Sequence, residues 1–249
     1  MISAWTISYY PQVFLNFVKK TTLGMASDMV IYDLLGTFSL SIYSFAMFYN
    51  NAVKEMYRDK NNGNDSTVEI NDVFFSIHAV IITVFTVGQM YWYDGWTQLP
   101  SQSCLITVSA TFICIVIFLI VVLILNTESG PFTLLNWLYF LSFVKVGVTC
   151  IKYFPQALFN YKRKSTEGYN ITQILLDLFG GLLSILQLLL DTNDMNDWNG
   201  LVGNIQKLVL GVLTGCFDMV YIIQHYVLYP EKRGRYESVN SRTNSMTYH

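Results

Sequence analysis

The sequence predicts an all-α membrane protein with seven transmembrane helices, organised as two parallel three-helix repeats joined by a linker helix. Three observations predict this fold class. The 249-residue chain is 53% hydrophobic and only 13% charged, which leaves too little polar surface for a soluble globular protein. Seven apolar runs approach the roughly 20 residues that a helix needs to cross the hydrocarbon core. In addition, two stretches of the chain repeat each other at a constant offset.

The seven predicted spans follow one another along the whole chain. Their approximate limits are 2–18, 29–50, 71–93, 103–125, 132–156, 169–190 and 206–229. The first run contains Pro11 and lacks the charged segment and cleavage site of a secretory signal, so we interpret it as a span. All four cysteines lie in apolar runs, which indicates packing residues and predicts no disulfide framework, metal site or cofactor.

The internal repeat relates Tyr9–Thr37 to the stretch around Cys150–Gly181. The matching pairs, all 144 positions apart, are Pro11 and Pro155, Gln12 and Gln156, Asn16 and Asn160, Lys20 and Lys164, Gly24 and Gly168, Asp33 and Asp177, and Gly36 and Gly180. This offset carries the first span onto the fifth, so the two copies run parallel in the membrane, as in several transporters. We expect repeats at 1–93 and 132–229, a linker with the fourth helix at 94–131, and a tail at 230–249.

Basic residues predict the orientation. With seven spans, one side of the membrane collects Lys19, Lys20, Lys162, Arg163, Lys164, Lys232, Arg233 and Arg235. The positive-inside rule makes that side cytosolic. The N-terminus is therefore expected on the luminal or extracellular side and the C-terminal tail in the cytosol.

Each repeat carries a Pro-Gln pair inside or beside an apolar helix. A proline removes a backbone hydrogen bond and kinks its helix, and a neighbouring glutamine can satisfy freed backbone groups. Pro11 with Gln12 and Pro155 with Gln156 are therefore predicted hinges. The alternative is that both prolines only shape the helix bundle.

Several longer motifs accompany the Pro-Gln pairs. They are NDVFFSIHAV at Asn71–Val80, IKYFPQ at Ile151–Gln156, KSTEG at Lys164–Gly168, LLD followed by GG within Leu175–Gly181, and FD with IQH within Phe217–His225. Together they resemble the cystinosins, lysosomal cystine exporters of the PQ-loop group, over nearly the whole chain. Pro-Gln alone would equally admit the sugar-carrying SWEETs or the KDEL receptor.

The resemblance implies proton-driven export of cystine from an acidic lysosomal or vacuolar lumen to the cytosol by alternating access. The chain departs from the family in three respects. The long luminal N-terminal region is missing and the first span is shortened, which bears on folding more than on chemistry. Asp33 and Gln173 each stand where the family has asparagine.

Charged residues within the predicted spans suit a zwitterionic substrate. Cystine has two carboxylates and two ammonium groups, so a buried site needs cations, anions and hydrogen-bond donors. Lys145, Lys152 and Gln156 fall near one face of the fifth span. By resemblance, the substrate path is lined by Trp5, Tyr9, Lys152, Gln156, Asn160, Gln173, Asp177, Lys207 and Asp218. The alternative is that the lysines snorkel or form structural ion pairs with the aspartates.

A carboxylate in a desolvated cavity can take up a proton from an acidic lumen and release it to the cytosol. Asp177 is the first candidate for proton coupling, Asp218 the second, and Asp72 a candidate entry site at the luminal mouth of the third span. His78 and His225 are interpreted as packing residues. The sequence contains no nucleophile constellation or phosphate-binding loop, so we do not predict an enzyme.

The polar segments bear on localisation. Tyr236, followed three residues later by Val239, resembles tyrosine-based sorting signals and implies a cytosolic adaptor. Asn64 begins a glycosylation sequon in a predicted luminal loop. The expected partners are thus cystine, protons, lipid and an adaptor, with no nucleic acid. Two alternatives stay open: a PQ-loop receptor or scaffold without net transport, and a transporter of another amino acid or a sugar.

Overall fold

The computed structural model describes residues 2–66, 68–95, 97, 99–127, 130–194 and 205–230. Regular structure in these residues is helical throughout, with no strand among them. The helices are α1 (Ile2–Ser8), α2 (Tyr10–Lys19), α3 (Ser27–Tyr49), α4 (Asn51–Lys60), α5 (Ile70–Asp94), α6 (Gln102–Leu125), α7 (Leu134–Arg163), α8 (Ile171–Asp194) and α9 (Ile205–Ile223). A short π-helix, Gln224–Leu228, follows α9 directly.

Five stretches are long and apolar enough to cross a membrane: Ser27–Tyr49, Ile70–Asp94, Gln102–Leu125, Leu134–Arg163 and Gly211–Leu228. A shorter apolar stretch, Ile171–Leu183, lies in α8. The all-helical membrane fold predicted from the sequence is confirmed. The parallel relation of the two repeats and the predicted domain limits stay predictions.

Two local features differ from the predicted spans. The first span, expected as one helix over 2–18, is two helices that are interrupted at Tyr9, and Pro11 falls in the first turn of α2. That turn tolerates proline because its amides have no intrahelical partner. In addition, the loop after α3 contains α4, whose start is capped by the Asn50 side chain accepting a hydrogen bond from the Val53 amide at 3.2 Å.

The described chain forms two compact units. One unit comprises Ser3–Ala26 and the chain from Tyr153 onward, and the other comprises Ser27–Lys152. The chain therefore passes between the units twice, after Ala26 and within α7 after Lys152.

The Ser27–Lys152 unit packs α3 against α5 and α6 and carries an apolar core. Leu138, Met47 and Val53 are almost completely buried there. The Trp137 indole donates to the Ile115 carbonyl oxygen at 3.0 Å and so joins α7 to α6. By contrast, apolar side chains near the end of α6, such as Leu123 and Ile124, are exposed, as expected for a helix surface that faces lipid.

In the other unit, α8 packs against α9 and also contacts α2. A Cβ atom on Gly181 would lie 3.8 Å from the Gly211 carbonyl oxygen. Small residues of this kind allow helix backbones to approach closely within a membrane. The two helices that pack in this way carry the aspartates that the sequence singles out, Asp177 on α8 and Asp218 on α9.

Candidate functional site

A buried cluster of charges lies in the Ser27–Lys152 unit. The Lys152 Nζ donates to Asp33 Oδ1 at 2.7 Å, and the Lys145 Nζ lies 3.9 Å from the same oxygen. Asp33 is only 8% exposed. We call Asp33, Lys145 and Lys152 the charged cluster.

The spacing of the residues explains how the charged cluster forms. Lys145 and Lys152 are two helical turns apart on α7, so both side chains leave the same face. Gly36 on α3 provides room for the farther lysine, because a Cβ atom there would lie 3.3 Å from Lys145 Cδ. Thr83 on α5 is buried, and its hydroxyl lies beside the Asp33 carboxylate.

A second arrangement, in the other unit, involves the two Pro-Gln segments. Gln12 Nε2 donates to the Gly168 carbonyl oxygen at 2.9 Å and to Asn16 Oδ1 at 2.8 Å. Gln12 Oε1 accepts from the Asn170 amide at 2.7 Å. The first glutamine thus binds the loop that follows the second Pro-Gln helix.

Gln156 makes the reciprocal set of hydrogen bonds. Its Nε2 donates to the Gly24 carbonyl oxygen at 3.0 Å and to Asn160 Oδ1 at 2.9 Å, and its Oε1 accepts from the Ala26 amide at 2.6 Å. Each partner is 144 residues from its counterpart in the first set. We call the two sets of bonds the glutamine clamps. Each glutamine hydrogen-bonds to the loop of the opposite repeat. The sequence had suggested a different partner, the backbone groups that the neighbouring proline frees.

The two loops held by the glutamine clamps cross at their glycines. A Cβ atom on Gly24 would lie 2.2 Å from the Gly168 carbonyl carbon, and one on Gly168 would lie 2.6 Å from the Gly24 Cα. No real side chain fits at either distance. Gly168 also has a φ of +83°, a conformation that favours glycine. The repeated glycines are therefore required by the backbone crossing.

The second glutamine clamp extends into the π-helix. Asn160 Nδ2 donates to Gln224 Oε1 at 2.9 Å, and Gln224 Nε2 donates to the Ala157 carbonyl oxygen at 3.0 Å. His225 Nδ1 lies 2.7 Å from the Thr166 hydroxyl oxygen, and the packing role of this histidine stays a prediction. Gln156 and Asn160 are both fully buried in this network, so their predicted contact with substrate stays a prediction.

The two candidate coupling carboxylates lie in the same unit. Asp218 is 2% exposed on α9 and Asp177 is half-buried on α8. Both lie within electrostatic range of the Tyr221 hydroxyl, which donates to the Tyr153 carbonyl oxygen at 2.7 Å. Gln173, one turn before Asp177, has a buried side-chain oxygen that accepts no hydrogen bond from the residues that the structure describes.

Aromatic residues predicted along the path are also in this unit. The Trp5 indole packs against Gly180, where a Cβ atom would lie 2.5 Å from Trp5 Cδ1. Gly180 follows Asp177 by three residues, so the indole covers the helix surface next to that carboxylate. Tyr9, at the break between α1 and α2, is half-buried.

The remaining predicted residues fall in several places. Asp72 belongs to the other unit and caps α5, where its Oδ2 accepts from the Glu69 amide at 2.9 Å. Lys207 lies on α9. The sorting signal, Tyr236 with Val239, lies outside the described residues. The entry, substrate-binding and sorting roles stay predictions.

Asn64 is exposed in the loop after α4. Its neighbour Asp65 receives a 2.6 Å hydrogen bond from Arg58 Nε. This hydrogen bond holds the pKa of the Asp65 carboxyl below its usual value. The glycosylation sequon thus lies on an accessible loop held by an ion pair, and its use stays a prediction.

Some residues of these sites were not among the predicted site residues. Asp33 was noted as a departure from the family and as the repeat counterpart of Asp177, but it was not assigned to the site. Gln224, Asn170 and Tyr221 carry key hydrogen bonds. Gln224 lies in the IQH motif, to which the sequence assigned no role, and no sequence pattern singled out Asn170 or Tyr221.

Comparison with known proteins agrees with this architecture. The family model for the PQ loop repeat matches residues 1–53 and 137–197. The chain is 39% identical to a cystinosin homolog of Caenorhabditis briggsae over 233 residues, covering 92% of this chain and 56% of that protein. It is 37% identical to a cystinosin homolog of Dictyostelium discoideum over 243 residues, covering 96% of this chain and 82% of that protein.

A more distant relative is the cystine transporter of Saccharomyces cerevisiae, which is 25% identical over 240 residues, covering 91% of this chain and 90% of that protein. The chain spans about half the length of the Caenorhabditis relative, at 56%, but most of the length of the yeast one, at 90%. Matches at both repeats agree with the internal repeat found in the sequence.

Proposed function

Since the chain belongs to the cystinosin family of PQ-loop membrane proteins, we propose that it exports cystine from an acidic organelle to the cytosol, together with protons. Its relatives support the substrate, because they are named cystinosin, cystinosin homolog and cystine transporter. On this proposal the protein is a lysosomal or vacuolar transporter and not an enzyme.

The observation that carries the proposal is the presence of buried charges of both signs on membrane-crossing helices. Asp33, Lys145 and Lys152 lie on α3 and α7, two of the stretches able to span a membrane. Charged side chains are costly in such helices and generally serve transport or proton transfer. A receptor for a neutral ligand, or a sugar carrier, does not need this mixture.

The coupling part of the proposal rests on Asp177 and Asp218. A proton from an acidic lumen neutralises a carboxylate in a desolvated site, and the carboxylate releases that proton when the site reaches the cytosol. Asp218 is buried, and Asp177 is half-buried one turn after Gln173, whose side-chain oxygen accepts no hydrogen bond from the residues that the structure describes. Asp177 is accessible enough to exchange a proton, which favours it as the first coupling residue.

The hinge part of the proposal concerns Pro155. The chain passes from one compact unit to the other between Lys152 and Tyr153, just before this proline. Pro155 removes one helical hydrogen bond from the interior of α7 at that point. A change of conformation between luminal and cytosolic access therefore has a weakened helix segment available.

The test is uptake of labelled cystine by proteoliposomes that contain the purified full chain, with a pH gradient across the bilayer. We expect uptake to rise when the side corresponding to the lumen is acidified, and Asp177→Asn to abolish the rise. Asp59→Asn, an exposed aspartate on α4, serves as the control and should transport normally. Cystine binding without flux would favour a receptor over a transporter. If cystine neither binds nor crosses the bilayer, cystine is not the substrate.

Localisation is tested separately in cells. If Tyr236 and Val239 bind a sorting adaptor, Tyr236→Ala should move a share of the protein to the plasma membrane. The matched control is Tyr248→Ala, which lies in the same tail outside the motif. Equal distribution of both variants in the organelle would contradict the sorting signal.

A further inference from the structure

Basic residues are concentrated where α2 and α7 end, in the unit that contains both Pro-Gln segments. We call them the basic cluster, and they are Lys19, Lys20, Lys162, Arg163 and Lys164. Five basic residues and one acidic residue, Glu167, give the segments 19–26 and 162–170 a net charge of +4. A surface with this density of positive charge attracts anions.

The crossing of the two loops joins basic residues from both repeats. Lys19 Nζ lies 3.3 Å from Glu167 Oε1, and Arg163 Nη1 donates to the Glu167 carbonyl oxygen, also at 3.3 Å. Lys19 and Arg163 are equivalent residues of the repeat, 144 positions apart. Because both side chains reach the same residue, the basic cluster is one continuous surface.

The basic cluster lies where a membrane-length helix ends. Lys162 and Arg163 are in the last turn of α7, which is long and apolar enough to cross a bilayer. The apolar side chain of Leu158, one turn before Lys162, is exposed, as expected for a residue that contacts lipid. The cluster is therefore at the level of the lipid head groups.

Each repeat also places a lysine of the cluster over an aromatic ring. Lys20 Nζ lies 3.7 Å from the centre of the Phe17 ring, and Lys164 Nζ lies 3.3 Å from the centre of the Tyr161 ring. Both rings are more than half exposed. Aromatic rings of this kind are enriched at the membrane interface, and their faces attract ammonium groups. The rings thus hold the two lysines beside the head groups.

The number of basic residues favours a lipid that carries several phosphates. Clusters of roughly 4–8 lysines and arginines next to a membrane helix are typical of binding to anionic lipids. A phosphomonoester carries a charge of about −1.5 to −2 and three strong acceptor oxygens. Phosphatidylserine has a single net negative charge, so it matches a surface with five basic side chains less well.

We propose that the basic cluster binds the head group of a phosphoinositide, a membrane lipid with phosphomonoesters on its inositol ring. Lys162 and Lys164, which are both exposed, contact the phosphates, and Lys19 exchanges Glu167 for a phosphate when the lipid binds. Glu167 opposes binding because its carboxylate neutralises part of the cluster. This inference goes beyond the proposed function, since it concerns neither cystine nor the coupling carboxylates.

The test measures binding of soluble lipid analogues to the purified full chain in a neutral detergent, by competition with a fluorescent phosphatidylinositol bisphosphate. The competitors are dioctanoyl phosphatidylinositol bisphosphate, dioctanoyl phosphatidylserine and free inositol trisphosphate. We expect the bisphosphate lipid to bind at least about 10-fold more tightly than either other compound. Its affinity should fall as the salt concentration is raised, because the charges are exposed.

The informative variant is Lys162→Gln combined with Lys164→Asn, which removes two positive charges. Asparagine is chosen because Lys164 has a left-handed φ of 51° that asparagine tolerates. At about 5-fold per charge, the bisphosphate lipid should bind about 25-fold more weakly. The matched control, Lys54→Gln combined with Lys60→Gln, removes two charges from α4 in the other unit and should change the affinity by less than about 2-fold.

Glu167→Gln carries the opposite expectation. It removes the acidic side chain of the cluster and keeps the backbone carbonyl that accepts from Arg163. The bisphosphate lipid should bind about 5-fold more tightly to this variant. Loss of folded protein cannot produce a tighter affinity, so this result separates the charge effect from misfolding.

The remaining outcomes overturn the inference. Equal affinity for phosphatidylserine and the bisphosphate lipid, or an equal loss in the Lys54 and Lys60 control, would show only a general attraction to negative charge. Equal affinity for inositol trisphosphate would indicate a site for soluble phosphates. Unchanged or weaker binding to the Glu167→Gln protein, or no binding of any compound, would also contradict the proposal. Each result is independent of whether cystine is transported.

Discussion

The two Pro-Gln segments share a sequence motif but differ in the helix around the proline. Pro155 lies in the interior of α7, which continues from Leu134 to Arg163, whereas Pro11 begins α2 after an interruption at Tyr9. Tyr9 keeps helical dihedral angles, with φ of −69° and ψ of −33°. The interruption is therefore in the hydrogen-bond ladder and not in the dihedral angles of Tyr9.

Past the prolines, the two segments become nearly identical. Lys20 and Lys164 end their helices with left-handed φ angles of 52° and 51°. Gln12 binds Asn16 at 2.8 Å and Gln156 binds Asn160 at 2.9 Å. The comparison shows that the motif specifies the glutamine clamp and the loop after it, while the residues before the proline decide whether the helix continues.

The largest expected effect comes from closing the space where the two loops cross. Gly24→Ala or Gly168→Ala should destabilise the protein by about 3 kcal/mol or more, because the new methyl group would overlap backbone atoms of the opposite loop. Thermal unfolding of detergent-solubilised protein is the measurement. Gly88→Ala is the control, since no atom lies within 4 Å of a Cβ atom there. Stable Gly24→Ala protein would show that the crossing is not required.

The next effect sharpens the difference between the two glutamine clamps. Asn160 bonds both Gln156 and Gln224, whereas Asn16 bonds Gln12 and the Met25 sulfur at 3.5 Å. Asn160→Ala leaves two buried polar groups without their Asn160 hydrogen bonds and should lower the free energy of unfolding by about 2–4 kcal/mol. For Asn16→Ala we expect about half that loss. Equal melting temperatures for the two variants would mean that the extension to the π-helix contributes nothing.

A smaller effect distinguishes the two prolines. Pro155→Ala restores an amide in the interior of α7 and should raise thermal stability by about 1 kcal/mol while slowing cystine flux, if Pro155 is a hinge. Pro11→Ala should change both quantities less, because Pro11 lies in the first turn of α2 and not in the interior of a continuous helix. Similar flux losses in both variants would instead favour two equivalent hinges.

The smallest effect lies away from the Pro-Gln segments, at the exposed Arg58–Asp65 pair. The hydrogen bond from Arg58 lowers the pKa of the Asp65 carboxyl from its ordinary value, so the pair contributes stability above that ordinary value and loses it as the pH falls through the lowered pKa. Asp65→Asn should therefore lower the melting temperature slightly at neutral and mildly acidic pH, and not at strongly acidic pH. If the two proteins still differ in melting temperature at a pH where Asp65 is protonated, the ion pair is not the cause of the difference.

The sequence by itself determined the membrane class, the long helices and the repeat. Apolar runs of membrane length leave little choice of structure, because a helix satisfies every backbone hydrogen bond within its own segment. The constant offset of 144 residues likewise matched Gln12 to Gln156 and the loop glycine Gly24 to Gly168. The interruption at Tyr9 and helix α4 were missed, since each depends on only a few local hydrogen bonds.

Only the tertiary structure decided which repeated residues meet. Gln12 and Gln156 each bind the loop of the opposite repeat, and Asp33 pairs with Lys152 over a separation of 119 residues. Periodicity places a side chain on a helix face, but it does not say which face of another helix lies opposite. Asp33 and its repeat partner Asp177 accordingly have equivalent positions in sequence and different surroundings, because each is set by the helices packed around it.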